Sequence, residues 1–148
     1  MLRSSHKHQQ ATAPQFWHLL VFSVGGRRLA IKVGDVSSIS PWTESIPVGG
    51  HTPFVTAVVR QGQTVQPIFD LAASLHLAVQ GRSLLCLHVK HPLGEMAICI
   101  DEEIPVLHTV DPATLQTYHG KDVPTEGSYT NGLDEIPVLL ISQLGSTE

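Results

Sequence analysis

Histidines and cysteines give this chain its greatest potential for chemistry. The nine histidines are mostly scattered, and the tightest group of metal-ligating side chains is Cys86, His88, His91, Cys99 and Asp101. A hairpin that turns near Leu93 would pair His88 with Ile98 and Cys86 with Ile100. Since strand side chains alternate between faces, that register separates Cys86 and His88 from Cys99. We therefore expect neither a four-ligand metal site nor a Cys86–Cys99 disulfide here.

Carboxylates and glycines supply two further motifs, and neither predicts catalysis. Asp101, Glu102 and Glu103 could perform acid–base chemistry, but no nucleophile accompanies them, so we expect a solvated strand end. Gly25-Gly26 lacks the following helix and lysine of a phosphate-binding loop, which indicates a turn. The sequence therefore predicts a protein that is not an enzyme and has no cofactor or metal. A small metal-dependent enzyme using His88 and His91 is the alternative from another class.

Composition excludes several classes of protein. The chain has 148 residues, of which 42% are hydrophobic and 15% charged, against about 25% charged in an average globular protein. This balance argues against a disordered tail, a coiled coil and a nucleic-acid binder. No apolar run approaches the ~18 residues of a membrane span, and two cysteines are too few for a secreted disulfide scaffold. We expect a soluble, cytoplasmic protein without direct membrane insertion.

Charge is divided unevenly along the chain. Residues 1–90 contain eight Lys or Arg and three Asp or Glu, whereas residues 91–148 contain one basic and ten acidic residues. Such a split can mark a partner-binding surface, or it can let two halves of a fold attract each other. Both interpretations stay open at this stage.

Turn signals divide the chain into four β-hairpins, and many short strands with few helical segments predict an all-β barrel or sandwich. The hairpins turn at Gly25-Gly26, at Gln61-Gly62-Gln63, near Leu93 and at Asp134-Glu135. The first and third hairpins have similar lengths, and the second and fourth each carry a late proline. The chain is therefore predicted to contain two related subdomains. In the second hairpin, Pro67 indicates a sheet edge or a bulge.

Apolar spacing predicts the helical segments and the core. Residues 33–39 have the spacing of a short helical turn rather than a strand. Asp70 is the predicted N-cap of a short helix whose inward-facing residues are Leu71, Leu75 and Leu77. The predicted anchors of the first subdomain are Phe54, Ile68 and Leu71.

Four segments follow one another in an informative order. They are LLVFSVGGRRLAIKVGDVSSI, TPFVTAVVRQGQTVQPIFDL, LLCLHVKHPLGEMAICIDEEIPVLHTVDPATL and NGLDEIPVLLISQL. Together they resemble the CheW-like domain family, the coupling adaptors of bacterial chemosensory arrays. In the second segment, matching places of the family pattern are filled by Pro53, Phe54, Val58, Val65, Pro67, Ile68, Asp70 and Leu71. The resemblance covers residues 16–144, between an expected flexible leader (1–15) and tail (145–148).

The chain departs from the family pattern at three positions. The Asn-Leu-Arg-Gly turn, whose arginine is tied to partner binding, reads Arg60-Gln61-Gly62-Gln63 here, so Gly62 stands in the place of the arginine. Ser38 stands where an acidic residue is often found, and Ala57 stands where a glycine is usual. Arg60 is expected to be solvent-exposed, and it would project toward the same side as Gly62 if the strand continued to Gly62.

The resemblance implies both a fold and a function. The fold is all-β, with two intertwined SH3-like barrel subdomains of about five strands each and short helical turns. The function is a non-catalytic adaptor that links a chemoreceptor or other input protein to the regulatory domain of a CheA-type histidine kinase. Binding would use exposed strand edges and the grooves between subdomains. A divergent CheW-like module of a type IV pilus or another non-flagellar signalling cluster is the alternative. The candidate protein-binding residues are Val36, Ser38, Ala57, Arg60 and Gly62.

Overall fold

The structure is a computed structural model that describes residues 15–50 and 53–145. Its strands are β1 (Trp17–Val24), β2 (Arg27–Lys32), β3 (Val36–Pro41), β4 (Ile46–Pro47), β5 (Val55–Gln61), β6 (Thr64–Phe69), β7 (Leu85–His91), β8 (Gly94–Ile100), β9 (Val106–Val110), β10 (Thr125–Asn131) and β11 (Asp134–Leu139). One α-helical turn, α1, covers Leu71–Ser74, and 3-10 turns cover Val33–Asp35, Pro112–Thr114 and Ile141–Gln143. Residues 1–14 of the predicted leader and 146–148 of the predicted tail lie outside the described residues.

Two sheets are built from a repeated unit of hairpin, single strand and hairpin. The first sheet has the order β10-β11-β2-β1-β9, and the second has the order β3-β7-β8-β6-β5-β4. Each sheet therefore combines the opening hairpin of one half of the chain with the later strands of the other half. This exchange confirms the predicted all-β fold of two intertwined subdomains. The second sheet has six strands rather than five because the two-residue strand β4 pairs with β5.

Parallel pairing joins each closing hairpin to the opening hairpin of the other half. Ile68 of β6 pairs with Ala97 of β8, and Val138 of β11 pairs with Ala30 of β2. A proline directly precedes each of these pairs, where its missing N–H removes no bond of the parallel ladder. Of the two predicted positions for Pro67, the sheet edge is wrong, because β6 lies between β5 and β8. The β5–β6 register does shift next to Pro67, between the Val55–Phe69 and Ala57–Ile68 pairs.

Apolar side chains fill three clusters on the two faces of these sheets. The central core lies between the sheets, and its largest fully buried members include Phe22, Leu29, Ile31, Leu71, Leu87, Ile98 and Ile100. A second cluster covers the other face of the first sheet with Leu19, Val21, Ala30, Tyr129, Ile136 and Val138. A third covers the other face of the second sheet with Val59, Ile68, Cys86 and Ala97. Both sheets thus bury both faces over much of their area.

Asp101 connects the end of the second sheet to the first hairpin. Asp101 is 3% exposed, and its carboxylate accepts 2.8 Å hydrogen bonds from the backbone N–H groups of Gly25, Gly26 and Gln80. Gly25 and Gly26 have φ values of +62° and +83°, the left-handed conformation that a two-residue hairpin turn requires. Asp101 is therefore a buried structural residue, and the prediction of a solvated strand end is wrong at this position.

The four ion pairs among the described residues all join the basic first half to the acidic second half. They are Arg27–Asp122, Arg28–Glu103, Arg28–Asp134 and Lys32–Glu126. Every base lies on β2, and every acid follows β8 in the chain. Because these groups are partly exposed, each pair contributes up to about 1 kcal/mol. The uneven charge of the sequence thus draws the two halves together.

Local predictions around α1 and β3 have mixed outcomes. Asp70 is the N-cap of α1, as predicted, and accepts a 3.0 Å bond from the Ala73 amide. Leu77 follows the helix and is 38% exposed, so its predicted inward orientation is wrong. Only Val33–Asp35 forms a helical turn, and the predicted extension to residue 39 is wrong. Val36–Pro41 is a strand because antiparallel pairing with β7 outweighs the helical spacing of its apolar residues.

Candidate protein-binding site

The β5–β6 hairpin holds three of the five predicted binding residues and closes on a tight turn. Gln61 pairs with Thr64, so Gly62 and Gln63 form a two-residue loop. Gly62 has a φ of +62°, and a glycine with positive φ at the first loop position is typical of a type II′ turn. Arg60 pairs with Val65 one step before the turn. The condition for a common side of Arg60 and Gly62 is not met, because the strand ends at Gln61.

Five side chains share the outward face of this hairpin and the neighbouring edge strand, and we call them the hairpin patch: Ile46, Val58, Arg60, Val65 and Pro67. Directly paired residues share a face, and the register pairs Ile46 with Val58, Val58 with Pro67, and Arg60 with Val65. Ile46 is 55% exposed and Val65 is 56% exposed. An exposed arginine is thus surrounded by apolar side chains that no other element of the described chain covers.

The hairpin patch lies on the face of the second sheet that also carries the central core, at the part of that face left uncovered. Phe69 lies on the same face of β6 as Pro67 and Val65, because the three residues are spaced by two. Along that face Phe69 is buried in the central core, Pro67 is half-buried and Val65 is exposed. The second sheet is therefore covered at β7 and β8 and uncovered at its β5 side. Apolar side chains on the same face as the core are exposed there, and exposed apolar patches of this kind are typical of interaction surfaces.

Arg60 is the only cation of the hairpin patch, and it is exposed as predicted. The ion pairs formed among residues 15–50 and 53–145 do not include Arg60. Its guanidinium can offer five N–H donors in a planar fork. Arginine beside apolar anchors is the composition of many interface hot spots. The geometry therefore suits recognition of a carboxylate on a partner.

Ala57 supports the hairpin patch from the opposite face of β5. It pairs with Ile68 and Pro47 and packs with Trp42 against the third apolar cluster. A cavity of about 350 Å³ beside it is lined by Trp42, Ala57, Ile68 and Cys99, among others. Ala57 therefore sets the spacing beneath the hairpin rather than presenting a side chain to a partner.

Val36 and Ser38 lie apart from the other three predicted residues. They belong to β3, which is separated from β5 by β7, β8 and β6 in the hydrogen-bonded order. Val36 pairs with Val89 and packs against the central core, whereas Ser38 is exposed opposite His88. The register shifts between Val36 and Ser38. The five predicted residues thus lie in two separate places, one at each side of the second sheet.

Phe54 is the exposed aromatic residue that the sequence prediction placed in the core. It is 44% exposed, has a φ of +60° and contacts Phe69 edge-on with ring centroids 5.9 Å apart. Together with Phe69, Lys121 and Asp122 it lines a cavity of about 350 Å³. The signal that could have revealed it is its position between Pro53 and the start of β5, outside the alternating pattern of the strand.

The histidines of the third hairpin are occupied by protein partners. Nδ1 of His88 lies 2.7 Å from Oε1 of Gln66, and its Nε2 lies 2.8 Å from Oγ of Ser40. Nε2 of His91 lies 3.0 Å from the carbonyl of Leu144. His88 and His91 are three residues apart on β7 and so lie on opposite faces. The metal-dependent alternative has no support in this geometry.

Burial makes His88 an uncharged structural residue. The side chain is 1% exposed, and desolvation lowers its pKa, while the negative charge of Glu95 opposes that shift. Gln66 must accept from Nδ1–H, because its amide nitrogen donates to Glu95. Nε2 of the neutral ring therefore accepts the hydroxyl hydrogen of Ser40. This network links β3, β7 and β6 across the second sheet.

Comparison with known proteins identifies the architecture. The sequence pattern of the CheW-like domain matches residues 18–142, which extends from β1 to the last 3-10 turn. The chain belongs to the CheW-like domain family. Domains of this family are non-catalytic scaffolds. Among the described residues of this CheW-like domain, no helix is long and apolar enough to cross a bilayer.

Two known proteins resemble this CheW-like domain, one in sequence and one in structure. The chemotaxis protein CheW of Bacillus subtilis (strain 168) is 36% identical over 59 residues, which are 40% of this chain and 38% of that protein. The matched part thus spans less than half of the relative. The crystal structure of the scaffolding protein TtCheW from Thermoanaerobacter tengcongensis has a TM-score of 0.75 at 13% identity. That likeness covers 92% of this chain and 95% of the other, and it shows the fold.

Proposed function

We propose that this CheW-like domain is a cytoplasmic adaptor that couples a chemoreceptor or other input protein to the regulatory domain of a CheA-type histidine kinase. The scaffolding family supports this role, and the observation that carries it is the exposed Arg60 within the hairpin patch. The adaptor binds two partners at once and performs no chemistry itself. It needs two separate docking surfaces, and the two sides of the second sheet provide them.

The kinase regulatory domain docks on the hairpin patch. Ile46, Val58, Val65 and Pro67 supply apolar contact area, and Arg60 supplies a directional charge. Partners that bury such a mixed surface gain affinity from the apolar part and orientation from the charge. Gly62 contributes the turn that holds Arg60 next to Val65, and Ala57 contributes the packing beneath them.

The input protein docks on β3. This strand pairs only with β7 in the sheet order, so its other edge presents main-chain groups to a partner strand. Ser38 is exposed on β3, and Ile39 is 41% exposed. Val36 anchors the start of the strand against the central core. A partner strand added here would leave the hairpin patch free.

Calorimetric titration against the regulatory domain of a CheA-type kinase tests the first surface. Arg60→Ala should weaken binding by about 2 kcal/mol or more, roughly 30-fold, without unfolding the domain. The matched control is Arg82→Ala, which removes the same exposed charge from outside the hairpin patch. Equal affinities for wild type and Arg60→Ala would show that the kinase binds elsewhere.

Titration against a chemoreceptor signalling fragment tests the second surface. Ser38→Arg places a bulky charge on the outer face of β3 and should weaken receptor binding while kinase binding persists. The reciprocal result is expected for Arg60→Ala. Loss of both partners in either variant would contradict the assignment of separate surfaces.

A module of a type IV pilus or another non-flagellar cluster is the second candidate. Gly62 favours it, because the arginine of the family's usual turn is absent here. The same titration, carried out with the regulatory domain of a kinase from each type of cluster, separates the two candidates. Binding only to the domain from the non-flagellar cluster would establish the second candidate.

A further inference from the structure

Cys86 and Cys99 lie directly opposite each other on β7 and β8. The sequence prediction of opposite faces is wrong, because the true register also pairs Lys90 with Glu95 and His88 with Ala97. The hairpin closes at the His91–Gly94 pair, around the two-residue loop that begins with Pro92. Both thiols therefore belong to the face that carries His88 and the third apolar cluster.

The spacing of the two cysteines follows from the alternation of the ladder. A two-residue loop is flanked by a hydrogen-bonded pair, and antiparallel ladders then alternate between hydrogen-bonded and non-hydrogen-bonded pairs. Counting from His91–Gly94, the Cys86–Cys99 pair is the fifth step away and is non-hydrogen-bonded. Such pairs have Cα atoms about 4.5 Å apart, which lies within the range spanned by disulfides.

Only one cysteine of the pair is accessible from solvent. Cys86 is 1% exposed, whereas Cys99 is partly exposed and lines the cavity of about 350 Å³ beside Trp42 and Ala57. A small oxidant entering that cavity meets Cys99 first. Cys86 then lies beside the oxidised sulfur as the resolving thiol.

We propose that Cys86 and Cys99 form a reversible intramolecular disulfide when the folded domain meets a peroxide. The peroxide oxidises the Cys99 thiol to a sulfenic acid and leaves as water or an alcohol. The Cys86 sulfur then attacks the Cys99 sulfur, an S–S bond forms, the S–O bond breaks and a second water leaves. Two electrons pass from the thiols to the peroxide, and a dithiol reductant reverses the change.

Burial sets the rate of this reaction. Desolvation raises the pKa of Cys86 to about 11 and that of Cys99 to about 12. The thiolate is the reactive form, and only a small fraction of either thiol is ionised at neutral pH. The pair is therefore slow near pH 7, and each pH unit below these values changes the thiolate fraction about tenfold.

Hydrogen peroxide treatment of the folded, reduced protein tests the proposal. Intact mass and thiol counting after denaturation should show the loss of two hydrogens and both thiols from a single chain, about 30-fold faster at pH 9.0 than at pH 7.5. Cys99→Ser should show no such loss. A second control, Cys99→Ser with Glu95→Cys, keeps two thiols on one face but about 13 Å apart along β8, and it should form no intramolecular disulfide.

Three results would overturn the proposal. One is that the wild type keeps both thiols at pH 9.0 while folded. Another is that its product is a linked dimer or a sulfinic acid. The third is that the displaced pair closes as fast as the native pair, since closure would then reflect chain flexibility rather than the register of β7 and β8.

Discussion

Oδ1 of Asp101 accepts a 2.8 Å hydrogen bond from the backbone amide of Gly25, a residue 76 positions earlier in the chain. The other carboxylate oxygen accepts from Gly26, and the backbone N–H of Asp101 donates to the carbonyl of Ser23 at 2.9 Å. One residue at the end of β8 thus holds the turn of the opposite sheet in place. These hydrogen bonds join the two sheets in addition to the central core between them.

Replacement of Asp101 by alanine should destabilise the domain strongly. The substitution leaves three backbone N–H groups without their acceptor at a buried site, and hydrogen bonds to a charged group contribute about 1.5–3 kcal/mol each. Because the three bonds share one side chain, we expect a combined loss of about 3–5 kcal/mol in the free energy of unfolding. Urea titration measures it. Asp134→Ala, at a largely exposed carboxylate, should cost less than about 1 kcal/mol.

Replacing Gly62 by a residue with a side chain should lower stability because of the backbone conformation at this position rather than because of steric contacts. A Cβ at Gly62 would meet no atom within 4 Å, but φ is +62°. Gly62→Ala is therefore expected to cost about 1 kcal/mol through the left-handed conformation alone. Gly34 offers the same open space without positive φ, so Gly34→Ala should change stability by less than about 0.5 kcal/mol. Equal costs for both variants in urea titrations would disprove the strain argument.

Phe54 should contribute little to stability for a phenylalanine. Because its ring is 44% exposed, Phe54→Ala should cost about 1 kcal/mol, which is the size of an aromatic edge contact. Phe22 is 2% exposed in the central core, and Phe22→Ala should cost about 3–5 kcal/mol. Thermal or urea unfolding of the two variants provides the comparison. A cost above about 3 kcal/mol for Phe54→Ala would place its ring in the core after all.

Stability should fall in mild acid because of His88. Burial lowers the pKa of His88 in the fold below its ordinary value of 6.5, so the unfolded chain binds a proton that the folded chain does not bind. The contribution of neutral His88 to the free energy of unfolding is then fully present above pH 6.5. It decreases as the pH falls from 6.5 toward the lowered pKa. His88→Gln should show a smaller decrease between pH 7.5 and 5.5, whereas His119→Gln, at an exposed position, should behave as wild type. An unchanged decrease in His88→Gln would assign the acid sensitivity to other groups.

Turns were predictable in part, because they depend on neighbouring residues. The predicted turn at Asp134-Glu135 is wrong, because Asn131 pairs with Asp134 and the loop is Gly132-Leu133, where Gly132 supplies the positive φ. Gly25-Gly26 and the Asp70 N-cap both form as predicted, since a glycine pair and a capping carboxylate act over three residues or fewer. The internal repeat was indicated by the similar lengths of the first and third hairpins and by the late prolines of the second and fourth.

Register and exposure were not predictable, because distant parts of the chain decide them. Moving the β7–β8 pairing by one residue preserves the count of apolar residues on each strand, yet it reverses the relation of Cys86 to Cys99. Phe54 and Val65 are apolar residues of the kind found in cores, but they are exposed because the first sheet does not extend over them. The hairpin patch could thus be recognised only after both sheets were placed.

The positions along the chain of the strands that form each sheet have a consequence for synthesis on the ribosome. Residues 36–100 contain every strand of the second sheet, so all its pairing partners have emerged before β9 is made. The first sheet instead waits for residues 106–139 to return to β1 and β2. Because β9, β10 and β11 are translated last, the outer edges of the β1–β2 hairpin lack their partner strands in the nascent chain until translation is almost finished. A truncation after Asp101 should therefore retain the pairing of the second sheet while leaving the edges of β1 and β2 available to chaperones or to aggregation.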